Sequence, residues 1–148
     1  MTNDVKFNTT YVDALGNPRD VISMPREGDA GYDLRYFGPP KDIPPHSIVK
    51  FPLGLRTEFN SRYVGIIKDR SSVAALGVTV VGGVIDPTYR GEWIVLLHNT
   101  TKEICIIESG TKIAQVVFIR YGVGTLEGVN HLTPSGRGDG GFGSTGNY

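Results

Sequence analysis

The sequence predicts an all-β sandwich or barrel, and two observations support this prediction. Glycine and proline, with 20 and 9 residues among 148, interrupt the chain every several residues. Between these interruptions lie short runs rich in β-branched and aromatic residues, and many short strands separated by turn signals are typical of sandwiches and barrels. The predicted strands cover residues 47–51, 63–68, 78–81, 93–98 and 114–120.

One short helix and a C-terminal arm complete the predicted architecture. The helix covers residues 72–76, where a serine can cap the start and Gly77 can end the turn. Residues 1–134 form the β domain, and residues 135–148 form a glycine-rich arm. Because the arm has almost nothing with which to bury itself, we expect it to be flexible until a ligand orders it and to close over an active site, where it could reach a neighbouring subunit.

Composition excludes several classes of protein. Lys and Arg total 15, as do Asp and Glu, so the net charge is zero, which argues against a general duplex-binding protein but not against a small anionic ligand. The one cysteine, Cys105, excludes a disulfide framework within the chain, which indicates a reducing compartment. Because it lies in an apolar run, Cys105 is expected in the core. With no signal peptide and no apolar run near ~18 residues, the sequence predicts a cytoplasmic or nuclear protein that is neither secreted nor bound to a membrane.

The segment at residues 29–34 ends in a carboxylate between two large residues. Asp33 lies between Tyr32 and Leu34, whose side chains should alternate into the core. Asp33 is either a solvated residue after a turn or a carboxylate that holds a metal-bound water or a ribose hydroxyl.

Residues 70–72 have the composition of a phosphate-binding site. Arg70, Ser71 and Ser72 precede an apolar run, and the start of a helix offers free N–H groups to an anion. Lys68 supports such a site, whereas Asp69 opposes it unless its side chain points away. The alternative is an ordinary N-cap with a surface arginine.

Residues 82–93 form the densest signal in the β domain. They connect two predicted strands, and their glycines allow the backbone to approach a ligand. Asp86 is a candidate general base or water-orienting carboxylate, and Tyr89 can present its ring to the same pocket. The alternative is a tight turn in which Asp86 bonds its own backbone.

Two further segments can contact a nucleotide. Gln115 lies near the start of a predicted buried strand, where its amide needs hydrogen-bond partners, and taken alone it favours a structural hydrogen bond over a ligand contact. In the arm, Arg137 and Ser144 can contact phosphate oxygens and Phe142 can stack on a flat ring.

Taken in order, five segments resemble the five motifs of the trimeric dUTPases. They are AGYDL (30–34), RSS (70–72), GVIDPTYRGE (83–92), GTKIAQ (110–115) and RGDGGFGSTG (137–146). The resemblance implies a jelly-roll-like distorted β-barrel of the β-clip type and a homotrimer with three shared active sites. It also implies Mg²⁺-dependent hydrolysis of dUTP to dUMP and pyrophosphate, which limits uracil incorporation into DNA and supplies dUMP for dTMP synthesis.

Position by position, the resemblance implies a role for each motif. Asp86 would orient and deprotonate the water that attacks the α-phosphorus, and Tyr89 would pack on the deoxyribose. Asp33 would act through water on a Mg²⁺ ion held mainly by substrate phosphates. The other residues would contact uracil or phosphate. They are the backbone of Gly83, Val84, Ile85 and Ile94 with the ring of Phe142 for uracil, and Arg70, Ser71, Ser72, Gln115, Arg137, Gly143, Ser144 and Thr145 for phosphates.

Two other functions are compatible with the sequence. The related dCTP deaminases resemble this chain around residues 70–72 and at Asp86-Pro87, and Glu92 is the nearest candidate for their glutamate proton carrier. Residues 79–83 also lack the asparagine that many bacterial dUTPases present to uracil. The second alternative is a nucleotide-gated regulatory binding protein.

Overall fold

A computed structural model describes residues 4–141 of the chain, and residues 1–3 and 142–148 lie outside the description. Twelve short strands and one helix follow one another along the chain. They are β1 (Lys6–Thr9), β2 (Ile22–Ser23), β3 (Tyr32–Tyr36), β4 (Lys41–Ile43), β5 (Ile48–Pro52), β6 (Leu55–Glu58), β7 (Tyr63–Lys68), α1 (Ser71–Ala74), β8 (Val78–Val80), β9 (Val84–Ile85), β10 (Ile94–Asn99), β11 (Cys105–Ile107) and β12 (Thr111–Arg120). The predicted all-β class with one short helix is therefore confirmed.

The strands pair into four antiparallel sheets. A five-stranded sheet has the order β2-β3-β12-β7-β9, and a three-stranded sheet has the order β5-β10-β8. Two-stranded ladders join β1 to β6 and β4 to β11. Within residues 4–141, none of these sheets closes on itself into a complete barrel.

Large apolar side chains from several sheets meet in one core. Leu34 and Ile113 come from the five-stranded sheet and Phe51 and Leu97 from the three-stranded sheet, and Trp93 precedes β10; all five are fully buried. Cys105 was expected in this core, but it is only partly buried. Strand β11 belongs to a two-stranded ladder beside the core, and this partial burial raises the pKa of the Cys105 thiol.

The helix begins one residue earlier than predicted and has a different N-cap. Arg70 is the N-cap, its carbonyl accepts hydrogen bonds from the N–H groups of Val73 and Ala74, and no side chain caps the helix. The serines are therefore not N-caps as predicted, because they already lie inside the helical turn. The helix also ends two residues earlier than predicted, at Ala74 with Ala75 as its C-cap. Gly77, with a φ of 77°, ends the turn that follows the helix, where its N–H donates to the Ala74 carbonyl.

The sequence also predicted a hairpin-like connection at residues 82–93. Strands β8 and β10 are indeed antiparallel neighbours, with Val80 opposite Leu97. Between them the chain leaves the three-stranded sheet, because β9 pairs with β7 at the edge of the five-stranded sheet. This connection thus bridges two sheets.

A β-bulge in the longest strand, β12, determines which side chains share a face. Gln115 lies opposite Asp33, while Lys112 lies opposite Arg35, and the register shifts between Lys112 and Ala114. Ile113 and Ala114 are consequently both buried. Residues three apart normally point to opposite faces of a strand, but the extra residue of a bulge places Lys112 and Gln115 on the same face.

No helix within residues 4–141 has the length and apolar character needed to cross a membrane.

Candidate active site

A polar cleft of about 810 Å³ lies where β3, β12 and the start of α1 meet. Its walls combine residues from segments that are far apart in the chain. The lining residues are Met24, Pro25, Arg26, Asp29, Ala30, Gly31, Asp33, Arg70, Ser71, Lys112, Gln115 and Val117. Four of the predicted site residues, Asp33, Arg70, Ser71 and Gln115, therefore meet in one cleft, whereas Ser72 is exposed on α1 and does not line it.

Asp33 binds two cationic side chains in this cleft. Its Oδ1 atom lies 2.7 Å from Arg70 Nε, and its Oδ2 atom lies 2.7 Å from Lys112 Nζ. The Asp33 side chain is 23% exposed. Asp33 is therefore not an isolated solvated residue. It can bind another cation only if these two ion pairs rearrange.

The charges around Asp33 control its ionisation. Partial burial disfavours the carboxylate, but the hydrogen bond from Lys112 and the charge of Arg70 outweigh it, so the pKa of Asp33 lies below its ordinary value. Asp33 is accordingly ionised at neutral pH.

Arg70, Ser71 and Ser72 keep donors free for a ligand. Arg70 uses Nε for Asp33, and its two Nη groups donate no hydrogen bond within residues 4–141. The hydroxyl groups of Ser71 and Ser72 are likewise unpaired in the described part of the chain. Available donors of this kind are what an anion requires.

The side chain of Asp69, which the sequence left as a possible obstacle, turns toward β8. Its carboxylate accepts hydrogen bonds from the Thr79 hydroxyl, at 3.1 and 3.2 Å, and from the Val80 N–H group. The negative charge of Asp69 is therefore engaged on β8, and Asp69 does not line the cleft.

Gln115 is held between a backbone carbonyl and a glycine. Its Nε2 atom donates to the Asp69 carbonyl at 2.8 Å, which is the structural bond considered from sequence. Its Oε1 atom packs against Gly31, where an added Cβ would lie 2.1 Å from that oxygen. The glycine in the first motif thus leaves the space in which the Gln115 side chain reaches the cleft.

A second cleft, here called the hairpin cleft, has a volume of about 390 Å³. Its lining residues are Gly83, Val84, Ile85, Asp86, Tyr89, Glu92, Trp93 and Ile94. Gly83 has a φ of 113°, its carbonyl accepts a hydrogen bond from the N–H of Ile67, and an added Cβ would lie 2.8 Å from Ile67 Cβ. A side chain at Gly83 would therefore disturb the backbone on this wall.

Asp86 is exposed at the mouth of the hairpin cleft. Its carbonyl accepts a hydrogen bond from the N–H of Tyr89, at 3.1 Å, which closes the turn. Its carboxylate makes no hydrogen bond or ion pair with any residue in 4–141, so the alternative in which Asp86 bonds its own backbone is not observed. Arg90 stabilises the same turn, because its Nη1 group donates a hydrogen bond to the Pro87 carbonyl at 2.6 Å.

Tyr89 and Glu92 are both bonded within the hairpin. The Tyr89 hydroxyl donates to the Glu92 carbonyl at 3.0 Å, and its ring covers Gly91, where an added Cβ would meet the phenol oxygen at 2.3 Å. The Glu92 carboxylate accepts the N–H of Gly54 at 2.8 Å. Glu92 thus links the hairpin to the start of β6, whereas the Tyr89 ring remains 42% exposed.

The C-terminal arm is described only in part. Arg137 is exposed, and its Nε atom donates to the Gly140 carbonyl at 2.8 Å. Phe142, Gly143, Ser144 and Thr145 lie outside the described residues. Arg137 lines neither cleft.

Sequence reasoning missed Lys112. It lines the polar cleft and binds Asp33, yet it lies three positions before Gln115, so regular strand alternation would place the two side chains on opposite faces. The consecutive apolar pair Ile113-Ala114 is the one sequence signal of the bulge that brings them together.

The dUTPase family model matches residues 17–146 of the chain. The deoxyuridine 5′-triphosphate nucleotidohydrolase of Desulfitobacterium hafniense (strain DSM 10664 / DCB-2) is 36% identical over 149 residues, which cover 97% of this chain and 98% of that protein. The Pol polyprotein of caprine arthritis encephalitis virus (strain Cork) is 38% identical over 136 residues, 90% of this chain, but the chain spans 12% of the polyprotein's length.

A solved structure shares the fold. The dUTPase of Staphylococcus bacteriophage 80alpha, solved with dUpNHpp, superposes with a TM-score of 0.84 over 98% of this chain and 99% of that chain, at 23% sequence identity. The similarity confirms the predicted jelly-roll-like fold.

The lowered pKa of Asp33 leads to a testable prediction. Replacing either cation, by Arg70→Met or Lys112→Met, should raise the pKa of Asp33 toward its ordinary value. Because the folded-state pKa is lowered, the ion pairs stabilise the fold above the unfolded-state pKa, and this contribution is lost as pH falls through the folded value. Carboxyl-carbon NMR titration measures the pKa, and an Asp33 resonance that titrates identically in all three proteins would contradict the assignment.

Proposed function

The chain belongs to the dUTPase family, and from this premise we propose that it is a dUTP nucleotidohydrolase that releases dUMP and pyrophosphate. The observation that carries the proposal is the family match over residues 17–146, together with two clefts that hold different parts of the required chemistry. One cleft is rich in donors for an anion, and the other has a free carboxylate beside an exposed aromatic ring. In a cell this reaction would limit uracil incorporation into DNA and supply dUMP for dTMP synthesis.

The triphosphate binds in the polar cleft. Within the cleft Arg70 offers its two Nη groups and Ser71 offers its hydroxyl, and the exposed hydroxyl of Ser72, on α1 outside the cleft lining, is a further donor. Gln115 faces the same space from β12. These donors stabilise the negative charge that develops on the pyrophosphate leaving group, and removal of one pre-aimed donor of this kind typically costs about 10²–10³ in rate.

The donor set fits a Mg²⁺ ion that the nucleotide brings with it. No group of three or more His, Cys, Asp or Glu side chains in residues 4–141 could hold a metal by itself. Mg²⁺ usually keeps several waters and is bound by one or two carboxylates together with substrate phosphates, and Asp33 is an ionised carboxylate in the cleft. Asp33 would hold the ion through a water ligand, and the ion would supply positive charge against the phosphate oxygens.

The nucleoside binds in the hairpin cleft. Backbone groups of residues 83–85 and of Ile94 pair with the uracil edge, and the same part of the cleft would exclude the thymine methyl. Tyr89 packs on the deoxyribose, where its exposed ring excludes a 2′-hydroxyl. Asp86 orients the attacking water and takes its proton, which a carboxylate without a protein partner can do.

A homotrimer supplies complete active sites. The polar and hairpin clefts of one chain have no lining residue in common, which supports a site in which the polar cleft of one subunit combines with the hairpin cleft of the next. The arm from a third subunit closes the site, with Phe142 on the uracil and Arg137, Gly143, Ser144 and Thr145 over the outer phosphates. The exposure of residues 121–139 along their whole length supports a segment that packs elsewhere.

A deaminase reaction receives less support. The candidate proton carrier, Glu92, already accepts a backbone hydrogen bond from Gly54. A glutamate used in this way links two loops and is less available for proton transfer.

Substrate discrimination tests the proposed function directly. With Mg²⁺, the purified protein should convert dUTP to dUMP and pyrophosphate and act little on UTP, dTTP and dCTP, as followed by anion-exchange chromatography. Hydrolysis of UTP at the dUTP rate would remove Tyr89 from sugar discrimination. Formation of dUTP from dCTP would identify a deaminase instead.

Asp86→Asn tests the general base. The amide cannot accept the proton of the water, so the rate should fall by about 10²–10⁴, while the dissociation constant of dUTP changes little. Single-turnover kinetics and calorimetric binding separate these two effects. Asp42→Asn, at an exposed position outside both clefts, is the matched control and should keep the normal rate. Near-normal turnover by Asp86→Asn would exclude Asp86 as the base.

Subunit mixing tests the shared site. Arg70→Met disables the polar cleft and Asp86→Asn disables the hairpin cleft, so each homotrimer should be nearly inactive. Refolding the two variants together at equal concentration should restore activity at about one site in four, because mixed trimers pair an intact polar cleft with an intact hairpin cleft of a neighbour. Activity that stays at the level of the separate variants would show that each chain holds its own complete site. Light scattering of both preparations checks that they are trimers.

A further inference from the structure

We propose that Lys112 is a triphosphate-binding residue of the polar cleft, held by Asp33 until the nucleotide arrives. This inference rests on the proposed function, because it assumes that a uridine triphosphate binds there. Lys112 would add a cationic side chain to the residues proposed above to bind the phosphates. Asp33 would then be a positioning residue for both Arg70 and Lys112.

The geometry places Lys112 among the proposed phosphate ligands. Its Nζ atom lies 2.7 Å from Asp33 Oδ2, and Arg70 Nε lies 2.7 Å from the other oxygen of the same carboxylate. Lys112, Arg70, Ser71 and Gln115 all line the same cleft. A ligand that contacts Arg70 and Gln115 therefore lies within reach of a flexible lysine side chain.

The bulge in β12 accounts for the position of Lys112. The register shift between Lys112 and Ala114 directs the lysine to the face that carries Gln115, although regular alternation would place it on the opposite face. The lysine also remains accessible, since its side chain is 34% exposed. Bulges commonly re-aim side chains beside functional sites.

The charge balance of the cleft favours transfer of the Arg70 and Lys112 side chains from Asp33 to a phosphate. Three cations, Arg26, Arg70 and Lys112, line it together with two anions, Asp29 and Asp33. Arg26 and Asp29 are mutual partners at 3.4 Å, which leaves two cations for the single charge of Asp33. A triphosphate carries several negative charges, so both cations gain by moving to it, and a Mg²⁺ ion can then occupy the vicinity of Asp33.

A double-mutant cycle separates direct phosphate binding from a structural role. If Lys112 only steadies Asp33, its removal has no effect once Asp33 has been replaced. If Lys112 contacts the triphosphate, Lys112→Met weakens binding in both the wild-type and the Asp33→Asn backgrounds. The probe is α,β-imido-dUTP at fixed Mg²⁺ concentration, and isothermal titration calorimetry gives the dissociation constants.

We expect Lys112→Met to raise the dissociation constant about 10-fold to 100-fold in each background, as is typical for loss of one charge-assisted hydrogen bond. Lys112→Arg keeps the charge and should stay within a few-fold of the wild type. Lys102→Met, at an exposed position outside both clefts, removes the same charge and should leave binding unchanged. Thermal unfolding checks the fold of each variant, and Lys112→Gln replaces Lys112→Met if the latter does not fold.

The outcomes distinguish this inference from the proposed function. Unchanged binding on loss of Lys112 in the Asp33→Asn background, in a protein whose wild type hydrolyses dUTP, overturns the role of Lys112 alone. A wild type that neither binds the analogue nor hydrolyses dUTP overturns both. Weaker binding in both backgrounds, with rescue by arginine, supports the inference.

Discussion

The register of β12 is the constraint on which the polar cleft depends. This ten-residue strand pairs with β3 on one edge and β7 on the other, and it places Gln115 directly beside Asp33. A slip of one residue would turn Gln115 into the core and a core side chain into the cleft. Ile113, Ala114 and Val116 are fully buried. Their burial fixes the register, because a slip would expose these apolar side chains to solvent.

The two clefts use different kinds of donor, and this difference suits different parts of a nucleotide. The polar cleft presents charged side chains, which match phosphates. The hairpin cleft presents mainly backbone and apolar groups, and the positive φ of Gly83 lets its chain run close to Ile67. Backbone N–H and C=O groups suit the edge of a base, because their geometry is held by the fold and not by rotamers.

The charge of Asp33 matters both for the fold in the absence of a ligand and for the proposed binding of the triphosphate. Asp33 stabilises two neighbouring cations that would otherwise repel each other across the cleft. The same carboxylate would repel phosphates, so a cation near Asp33 is needed when they bind. We propose that Mg²⁺ meets this need, which is why a single carboxylate suffices on the protein side.

The sequence alone determined the fold class, the short helix and four of the residues that line the polar cleft, because these depend on local composition and on motifs in a fixed order. The strand connection at residues 82–93 was also predictable, since glycines and an Asp-Pro turn mark it. Tertiary structure decided the N-cap of the helix, the direction of Asp69, the partial burial of Cys105 and the place of Lys112. The last three of these depend on a neighbour distant in the chain: Asp69 turns to β8, Cys105 lies beside the core, and a bulge set by packing against β3 aims Lys112 at Asp33. Strand alternation is a local rule, whereas a bulge depends on how two strands fit together. The sequence was therefore enough to identify the motif at residues 110–115, but it was not enough to predict the face of the strand on which Lys112 lies.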